Sequence, residues 1–357
     1  MEFLNEFKKN KRNSNKKKSF FKWVLTIFLV LFIAGFVIYK INPVFVENVI
    51  KEVSQLKEKI LLENDNSSAS LKDSSDSEKN ESAFQKEEFI SEEEENSPLY
   101  FGNPSGAVKE KSNSENYLIE KAGFTLSYNR VNLIPNWVSW HLSYSDLGEA
   151  ERGDDFRADS ELPDEWYKVL KSDYQYTKYN FDRGHVCPSA DRTKTQEANS
   201  ETFLMTNMIP QSPDLNRQIW KDFESFERSL ALEGNELYII AGPYGKGGTT
   251  STGTWDYIEI LEKKKNPLSK NQKILVPSHC WKIVLVLSEG DKDLSRVTED
   301  TEVISVFMPN SMGMHKTGSW ENYLTSVDYI EEKTGCDFFQ YLPDEIENFI
   351  ERKVYSK

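Results

Sequence analysis

An uninterrupted apolar run from Trp23 to Tyr39 stands near the start of the chain, flanked by Lys22 and Lys40. At a rise of about 1.5 Å per residue, the run is slightly shorter than a hydrocarbon core of about 30 Å, and snorkelling lysines can cover the difference. The pattern predicts a transmembrane helix over residues 23–40. A cleavable signal peptide is the alternative, but the sequence Val37–Asn42 lacks the small-x-small residues of a cleavage site.

The residues around this helix predict its orientation. Residues 1–22 are strongly basic, and the positive-inside rule therefore makes them a cytoplasmic tail. The helix is then a retained signal anchor, and everything after residue 40 lies outside the cytoplasm, in a bacterial cell envelope or at the cell surface.

Polar residues dominate from residue 41 to residue 115, with one amphipathic exception. In residues 41–62 the apolar positions follow a 3-4-3-4 spacing: Val46, Val49, Val53, Leu56 and Ile60. This is the pattern of a short juxtamembrane coiled coil, which would form a homodimer through residues 46–60, or equally of an isolated surface helix. Residues 63–115 are rich in Ser, Asn, Glu and Lys, and this composition predicts a disordered acidic linker.

Residues 116–357 alternate between strand-like and helix-like patterns, which predicts an α+β domain. Short apolar runs predict strands at Leu237–Ala241, Trp281–Leu287 and Val303–Met308. Helical spacing of apolar side chains begins near Ile219 and continues to Leu230, and Pro343 is typical of the start of a last helix.

The net charge and the cysteine content limit the classes of function that the chain can have. The chain carries a formal net charge of −14 and three cysteines, Cys187, Cys280 and Cys336. The negative charge argues against a broad basic surface for nucleic acid, so a nucleic-acid enzyme would need basic groups confined to a cleft. The cysteines are too few and too scattered for a disulfide scaffold, although one pair could form.

The densest chemical signal is the run Asp182-Arg183-Gly184-His185, followed downstream by Asn207, Asn216 and Glu224. A lone histidine is more often structural than catalytic. Only the residues downstream favour a catalytic role for His185. The amide oxygen of Asn216 suits Mg²⁺, which prefers oxygen ligands. On an ideal helix, Glu224 is turned by about 80° from Asn216 and lies about 12 Å further along the axis, so it would act through water.

These residues resemble the DNA/RNA non-specific endonucleases, which include secreted bacterial nucleases and mitochondrial endonuclease G. The resemblance covers about residues 120–350 and rests on the box at 182–185 and on the spacing of Asn207, Asn216 and Glu224. It also rests on later landmarks: Ala241-Gly242-Pro243, Val276-Pro277 and Trp281-Lys282. It implies a ββα-metal core with a central mixed or antiparallel sheet flanked by helices, in which a β-hairpin presents the histidine and the next helix the metal ligand.

The resemblance also implies roles for individual residues. His185 is the general base, Asn216 holds one Mg²⁺ or Mn²⁺ directly, and Glu224 supports the ion through water. Arg183 and Asn207 shape the catalytic site. Arg152 is the best match to a phosphate-binding arginine, and Arg157 is its competitor. The expected activity is hydrolysis of DNA and RNA to products with 5′-phosphate ends.

Other interpretations remain at this stage. A surface-anchored binding protein could keep the nuclease fold without activity. A zinc enzyme using His185 and Cys187 lacks further ligands at a suitable spacing, and we interpret Cys187 as a small buried side chain. Residues 263–265, three lysines, form a solvated loop or steer the substrate.

Overall fold

A seven-stranded antiparallel sheet organises residues 96–262, 265–316 and 318–356, the part of the chain that the computed structural model describes. The strands, in chain order, are β1 Tyr117–Glu120, β2 Thr125–Asn129, β3 Ile134–Leu142, β4 Asp182–His185, β5 Met208–Gln211, β6 Asn235–Tyr244, β7 Gly248–Thr250, β8 Gly253–Trp255, β9 Tyr257–Glu259, β10 Lys273–Leu275, β11 His279–Ser288, β12 Glu302–Pro309 and β13 Leu324–Thr325. The sheet has the order β1-β2-β3-β6-β11-β12-β13, and every neighbouring pair is antiparallel. The other strands form two-stranded antiparallel pairs, β4 with β5, β7 with β8 and β9 with β10.

Helices cover this sheet on both faces. In chain order they are α1 Tyr176–Tyr179, α2 Gln196–Glu201, α3 Trp220–Leu232, α4 Asp293–Arg296, α5 Val327–Thr334 and α6 Asp344–Arg352. A π-helical turn, Leu215–Ile219, leads directly into α3. The predicted α+β class is confirmed, and the three predicted strands lie inside β6, β11 and β12. The predicted last helix is α6, with Pro343 as its N-cap residue.

Side chains on β11 alternate between the two faces of the sheet, as the strand period of two requires. Cys280 and Val284 belong to a buried cluster that also contains residues of β5 and α3. Trp281 and Ile283 belong to a second cluster that contains residues of α5 and α6. The β4–β5 pair and α3 therefore lie on one face, and α5 and α6 lie on the other.

The segment before β1 is folded, which corrects the predicted boundary at residue 116. Tyr100 and Phe101 are each only 7% exposed. The Phe101 ring lies 4.6 Å from that of Tyr238 and 6.1 Å from that of Phe339, measured between centroids. Two adjacent aromatic side chains offer enough apolar area to dock on the sheet. Residues 63–115 are polar as a whole, so their composition does not show that Tyr100 and Phe101 are buried.

The predictions for the basic tail, the transmembrane helix, the coiled coil and most of the linker fall on residues 1–95, which lie outside the described residues. Within the described ranges, no helix has the length and apolar character needed to cross a membrane.

Candidate active site

The Asp182–His185 box forms β4, which pairs with β5 so that His185 lies opposite Met208 and Asp182 opposite Gln211. Gly184 packs against the Gln211 side chain so closely that a Cβ at this position would collide with Oε1 of Gln211. A side chain at position 184 would therefore have to displace the buried side chain of Gln211. The π-helical turn and α3 follow β5, which gives the strand–strand–helix order that the sequence resemblance implies.

His185 lies at the end of β4 with 8% of its surface exposed. Its ring packs between Phe203 and Phe156, at centroid distances of 4.7 Å and 5.5 Å, and its Nε2 atom has no hydrogen-bond partner. Burial, reinforced by the positive charges of Arg152 and Arg183, lowers the pKa of His185 to about 3. The imidazole is therefore neutral at pH 7 and able to accept a proton.

Asn216, in the π-helical turn, is oriented by the first residue of the box. Its Nδ2 donates to Oδ2 of Asp182 at 2.9 Å. Arg217 donates from Nε and Nη2 to the two oxygens of the same carboxylate, at 2.8 Å and 2.6 Å. This arrangement uses the amide nitrogen of Asn216 and leaves its oxygen available as a ligand for a hard cation.

Glu224 lines the same cavity as Asn216 and His185. Burial raises the pKa of the Glu224 carboxyl to about 7, although the charge of Lys282 opposes this effect. The angle of about 80° expected from the sequence assumed a regular α-helix. The π-helical turn takes more residues per turn, so it rotates each residue less and brings Glu224 towards the direction of Asn216. Both residues offer oxygen atoms to this cavity, which is the ligand type that Mg²⁺ takes in proteins.

Two arginines border His185. Arg152 donates from Nη1 to Oγ of Ser189 at 2.7 Å, and its guanidinium lies 5.3 Å from the Phe203 ring. Arg183 lies 4.5 Å from the Phe156 ring, and its Nε atom is buried without a partner. Both line the cavity.

The alternative phosphate-binding candidate, Arg157, is engaged elsewhere. Its Nη1 donates to Asp155 Oδ2 at 2.6 Å and to the Ser200 carbonyl at 2.8 Å. It does not line the cavity, whereas Arg152 does. The geometry therefore favours Arg152 of the two residues that the sequence left open.

Asn207, which the sequence resemblance expects to shape the catalytic site, is fully buried and does not line the cavity. Its Oδ1 accepts from the Cys187 amide, and its Nδ2 donates to the carbonyls of Cys187 and Thr202, all at 2.9 Å. Asn207 thus holds the chain that follows His185 in place. The sequence spacing alone could not distinguish this positioning role from direct contact with substrate.

The cavity, of about 430 Å³, is rich in cationic side chains, and three of them lie on one face of the π turn and α3. Arg217, Lys221, Glu224 and Arg228 recur at a spacing of four, three and four residues. Helical periodicity places such residues on one face. Lys221 and Arg228 were missed in the sequence analysis, although this spacing was the signal that could have found them.

The zinc alternative gains no support from the described residues. Cys187 is completely buried and free, and burial raises the pKa of its thiol well above the usual range. Cys280 and Cys336 are also free. His141 and His279 lie outside the cavity lining. The side chain of His315 and the lysines at 263 and 264 are not among the described residues.

Comparison with known proteins identifies the family of this chain. Residues 102–345 match the protein family described as DNA/RNA non-specific endonuclease. A nuclease from Nostoc sp. is 44% identical over 256 residues, which cover 72% of this chain and 85% of that protein. Mitochondrial endonuclease G from Bos taurus is 27% identical over 223 residues, covering 62% of this chain and 68% of that protein. A crystal structure of an EndoG/EndoGI complex covers 72% of this chain and 95% of the matched chain with a TM-score of 0.55; at 22% identity, it supports the fold alone.

Proposed function

The chain belongs to the DNA/RNA non-specific endonuclease family and is a nucleic-acid hydrolase, and on that premise we propose that it cleaves DNA and RNA with His185 as general base and one Mg²⁺ ion. The observation that carries the proposal is the position of His185: its Nε2 is buried without a hydrogen-bond partner, and its ring lines one cavity with Arg152, Arg183, Asn216 and Glu224. A neutral imidazole is the side chain best suited to take a proton from water near pH 7.

Nε2 of His185 accepts a proton from a water molecule, and the water oxygen forms a bond to phosphorus. The bond between phosphorus and the 3′-oxygen breaks, and the 3′-oxygen then takes up a proton from solvent. The products are a 5′-phosphate and a 3′-hydroxyl. Contacts to sugar and phosphate rather than to base edges account for weak base specificity.

Arg152 and Arg183 bind the phosphate and stabilise its growing negative charge, because they flank His185 on the cavity wall. Asn216 would hold the cation through its amide oxygen, and Glu224 would support it through water. A bound Mg²⁺, or Mn²⁺ in its place, supplies Lewis-acid stabilisation of the phosphate charge.

The test is cleavage of plasmid DNA and of RNA by the full-length chain with Mg²⁺, with and without chelator. His185→Ala should lower the rate by about 10²–10⁴-fold, the usual contribution of a general base, and leave the fold intact. His279→Ala is a matched control, because His279 stacks on Phe307 at 4.7 Å and does not line the cavity. A His185→Ala enzyme that keeps more than about a tenth of the wild-type rate would rule out this base.

The roles of the cation ligands are tested separately. Asn216→Ala should weaken the activation by Mg²⁺, so that a higher Mg²⁺ concentration partly restores activity. Glu224→Gln should have the milder effect, because its support runs through water. A titration in which Glu224→Gln shifts the Mg²⁺ dependence more than Asn216→Ala would reverse the two assignments.

For localisation, we propose that residues 23–40 anchor the chain with its N-terminus in the cytoplasm and the nuclease domain outside, and that residues 46–60 pair two copies. The support is the apolar run, the basic residues before it and the 3-4 spacing after it. Protease added to intact protoplasts should remove the nuclease domain. A domain protected from protease would show the opposite topology.

An inactive binding protein with the same fold is the weaker alternative. A copy without activity need not keep the imidazole, the amide ligand and the arginines of the cavity together, and this chain keeps them all.

A further inference from the structure

Three carboxylates meet on the face of the sheet opposite the candidate active site. Asp328 and Glu331 lie on α5, and Glu351 lies near the end of α6. One carboxylate oxygen from each residue falls within 4.8 Å of the other two. Such proximity of like charges is unfavourable unless a proton or a cation lies between them.

Glu351 distinguishes this cluster from an ordinary acidic surface. It is only 6% exposed, and its Oε1 atom is buried with no hydrogen-bond partner. Burial raises the pKa of Glu351 to about 9, and the charges of Glu331, Glu347, Asp328 and Asp337 reinforce the effect. Without a cation Glu351 is therefore protonated at neutral pH and its carboxyl hydrogen-bonds with Glu331, so a cation that binds here must displace that proton.

No basic side chain of the described residues neutralises this cluster. Lys333, on the same helix, pairs with Glu332 at 2.7 Å. Arg352, next to Glu351, donates to Oδ1 of Asn348 at 3.3 Å, and Lys353 donates to the carbonyl of Glu299. The basic groups nearest in sequence therefore point elsewhere.

We propose that Asp328, Glu331 and Glu351 bind one Ca²⁺ ion, which joins α5 to α6 on the face opposite the catalytic cavity. Carboxylate oxygens are hard ligands, and three carboxylates can supply up to about six of them when bidentate, as Ca²⁺ requires. Mg²⁺ demands stricter octahedral geometry and keeps several waters, so it fits a dense carboxylate group less well. The ion stabilises the C-terminal helix and takes no part in the reaction.

The test uses the full-length chain, purified in non-ionic detergent and stripped of metal with chelator. Its melting temperature should rise with millimolar Ca²⁺, because a ligand that binds only the folded state stabilises it. The same concentration of Mg²⁺ should give a smaller rise. Calorimetric titration with Ca²⁺ should detect this site in the Asn216→Ala variant as well, since that substitution affects only the catalytic cavity.

Glu351→Gln separates a cation site from a merely buried acid. Without metal the variant should melt close to the metal-free wild type, since glutamine resembles the protonated acid that the raised pKa of Glu351 implies, and Ca²⁺ should no longer raise its melting temperature. Glu345→Gln is the matched control: it removes an exposed acid from the same helix and should keep the response to Ca²⁺. Asp328→Asn, at an exposed position, should lower the Ca²⁺ affinity even if Glu351→Gln fails to fold.

A wild-type chain whose melting temperature is unchanged by Ca²⁺ would overturn the proposal, and so would a Ca²⁺ response that survives in both Glu351→Gln and Asp328→Asn. The first result would mean that Glu331 and Glu351 share a proton instead. An equal response to Mg²⁺ would overturn the choice of Ca²⁺. None of these results depends on nuclease activity.

Discussion

Replacing Asn207 by alanine would remove three hydrogen bonds from the interior directly behind His185. The side chain of Asn207 is completely buried, and it satisfies the amide and the carbonyl of Cys187 and the carbonyl of Thr202, each at 2.9 Å. Both carbonyls and the amide would remain in the interior without this partner. Each buried polar group that loses its partner costs about 1–3 kcal/mol.

Summed over three groups, the lower end gives a loss of about 3 kcal/mol, and water entering the vacated space keeps the total near that end. We therefore expect the free energy of unfolding to fall by about 3–5 kcal/mol, a large share of the 5–15 kcal/mol typical of a domain. Asn207→Asp should be at least as harmful, because a carboxylate would face two carbonyl oxygens. Asn235→Ala is the control, with one partly buried bond to the Leu230 carbonyl and an expected cost of about 1 kcal/mol.

Urea unfolding of the full-length chain, followed by tryptophan fluorescence, measures these differences. At low temperature, where the Asn207→Ala variant stays folded, its kcat should fall while its KM changes little, because His185 loses its support but the cavity lining is intact. A cost below about 1 kcal/mol would refute the network as a structural support. An unchanged stability combined with lost activity would instead return Asn207 to direct contact with the substrate.

Three shorter predictions concern the same region. Gly184→Ala should abolish activity by forcing the new Cβ against Gln211, and loss of the β4–β5 amide protection in hydrogen exchange would confirm the mechanism; retained protection would contradict it. Because the folded pKa of His185 lies below its unfolded value of 6.5, protonation favours the unfolded chain as the pH falls from about 6.5 towards 3. Wild type should therefore lose about 2.5 kcal/mol more stability than His185→Gln between pH 6 and pH 4, and equal losses would place the imidazole in a solvated site. Binding of duplex DNA by His185→Ala at fixed Mg²⁺ should show a log–log salt slope of about −2 to −4, and a slope steeper than about −6 would require a second basic surface.

The central sheet could be predicted from the sequence because its long strands are buried on both faces and appear as continuous apolar runs. Leu237–Ala241 is such a run, and Trp281–Leu287 is interrupted only by the buried Lys282. The strand β4 has no such signal, since Asp182–His185 is short and polar. It was found only as a motif. The folded segment around Tyr100 and Phe101 was missed because two aromatic residues scarcely alter the composition of a polar stretch.

The sequence predicted which residues form the site better than it predicted how these residues are arranged. His185, Asn216 and Glu224 do line one cavity, together with Arg152 and Arg183. The direction of Asn216 relative to Glu224 depends on a π-helical turn, which no local sequence pattern predicts. Whether an asparagine faces the cavity or the interior depends on long-range packing, so the sequence could not show from which side Asn207 shapes the site.

The acidic composition of the chain is compatible with nucleic-acid cleavage because the charge is distributed unevenly. Of the cations in the cavity, Arg217 is paired with Asp182 and Arg228 with Asp191. The other three, Arg152, Arg183 and Lys221, form no ion pair within the described part of the chain, although Glu224 shares the cavity with them and Asp154 lies near enough to Arg152 and Arg183 for their charges to lower its pKa. A small positive cavity in a negative domain attracts a phosphate at short range, while the surrounding acidic surface limits contacts with neighbouring phosphates. An enzyme with this charge distribution should gain little affinity from a long duplex, and on the proposed mechanism its rate depends mainly on how well one phosphodiester fits beside His185.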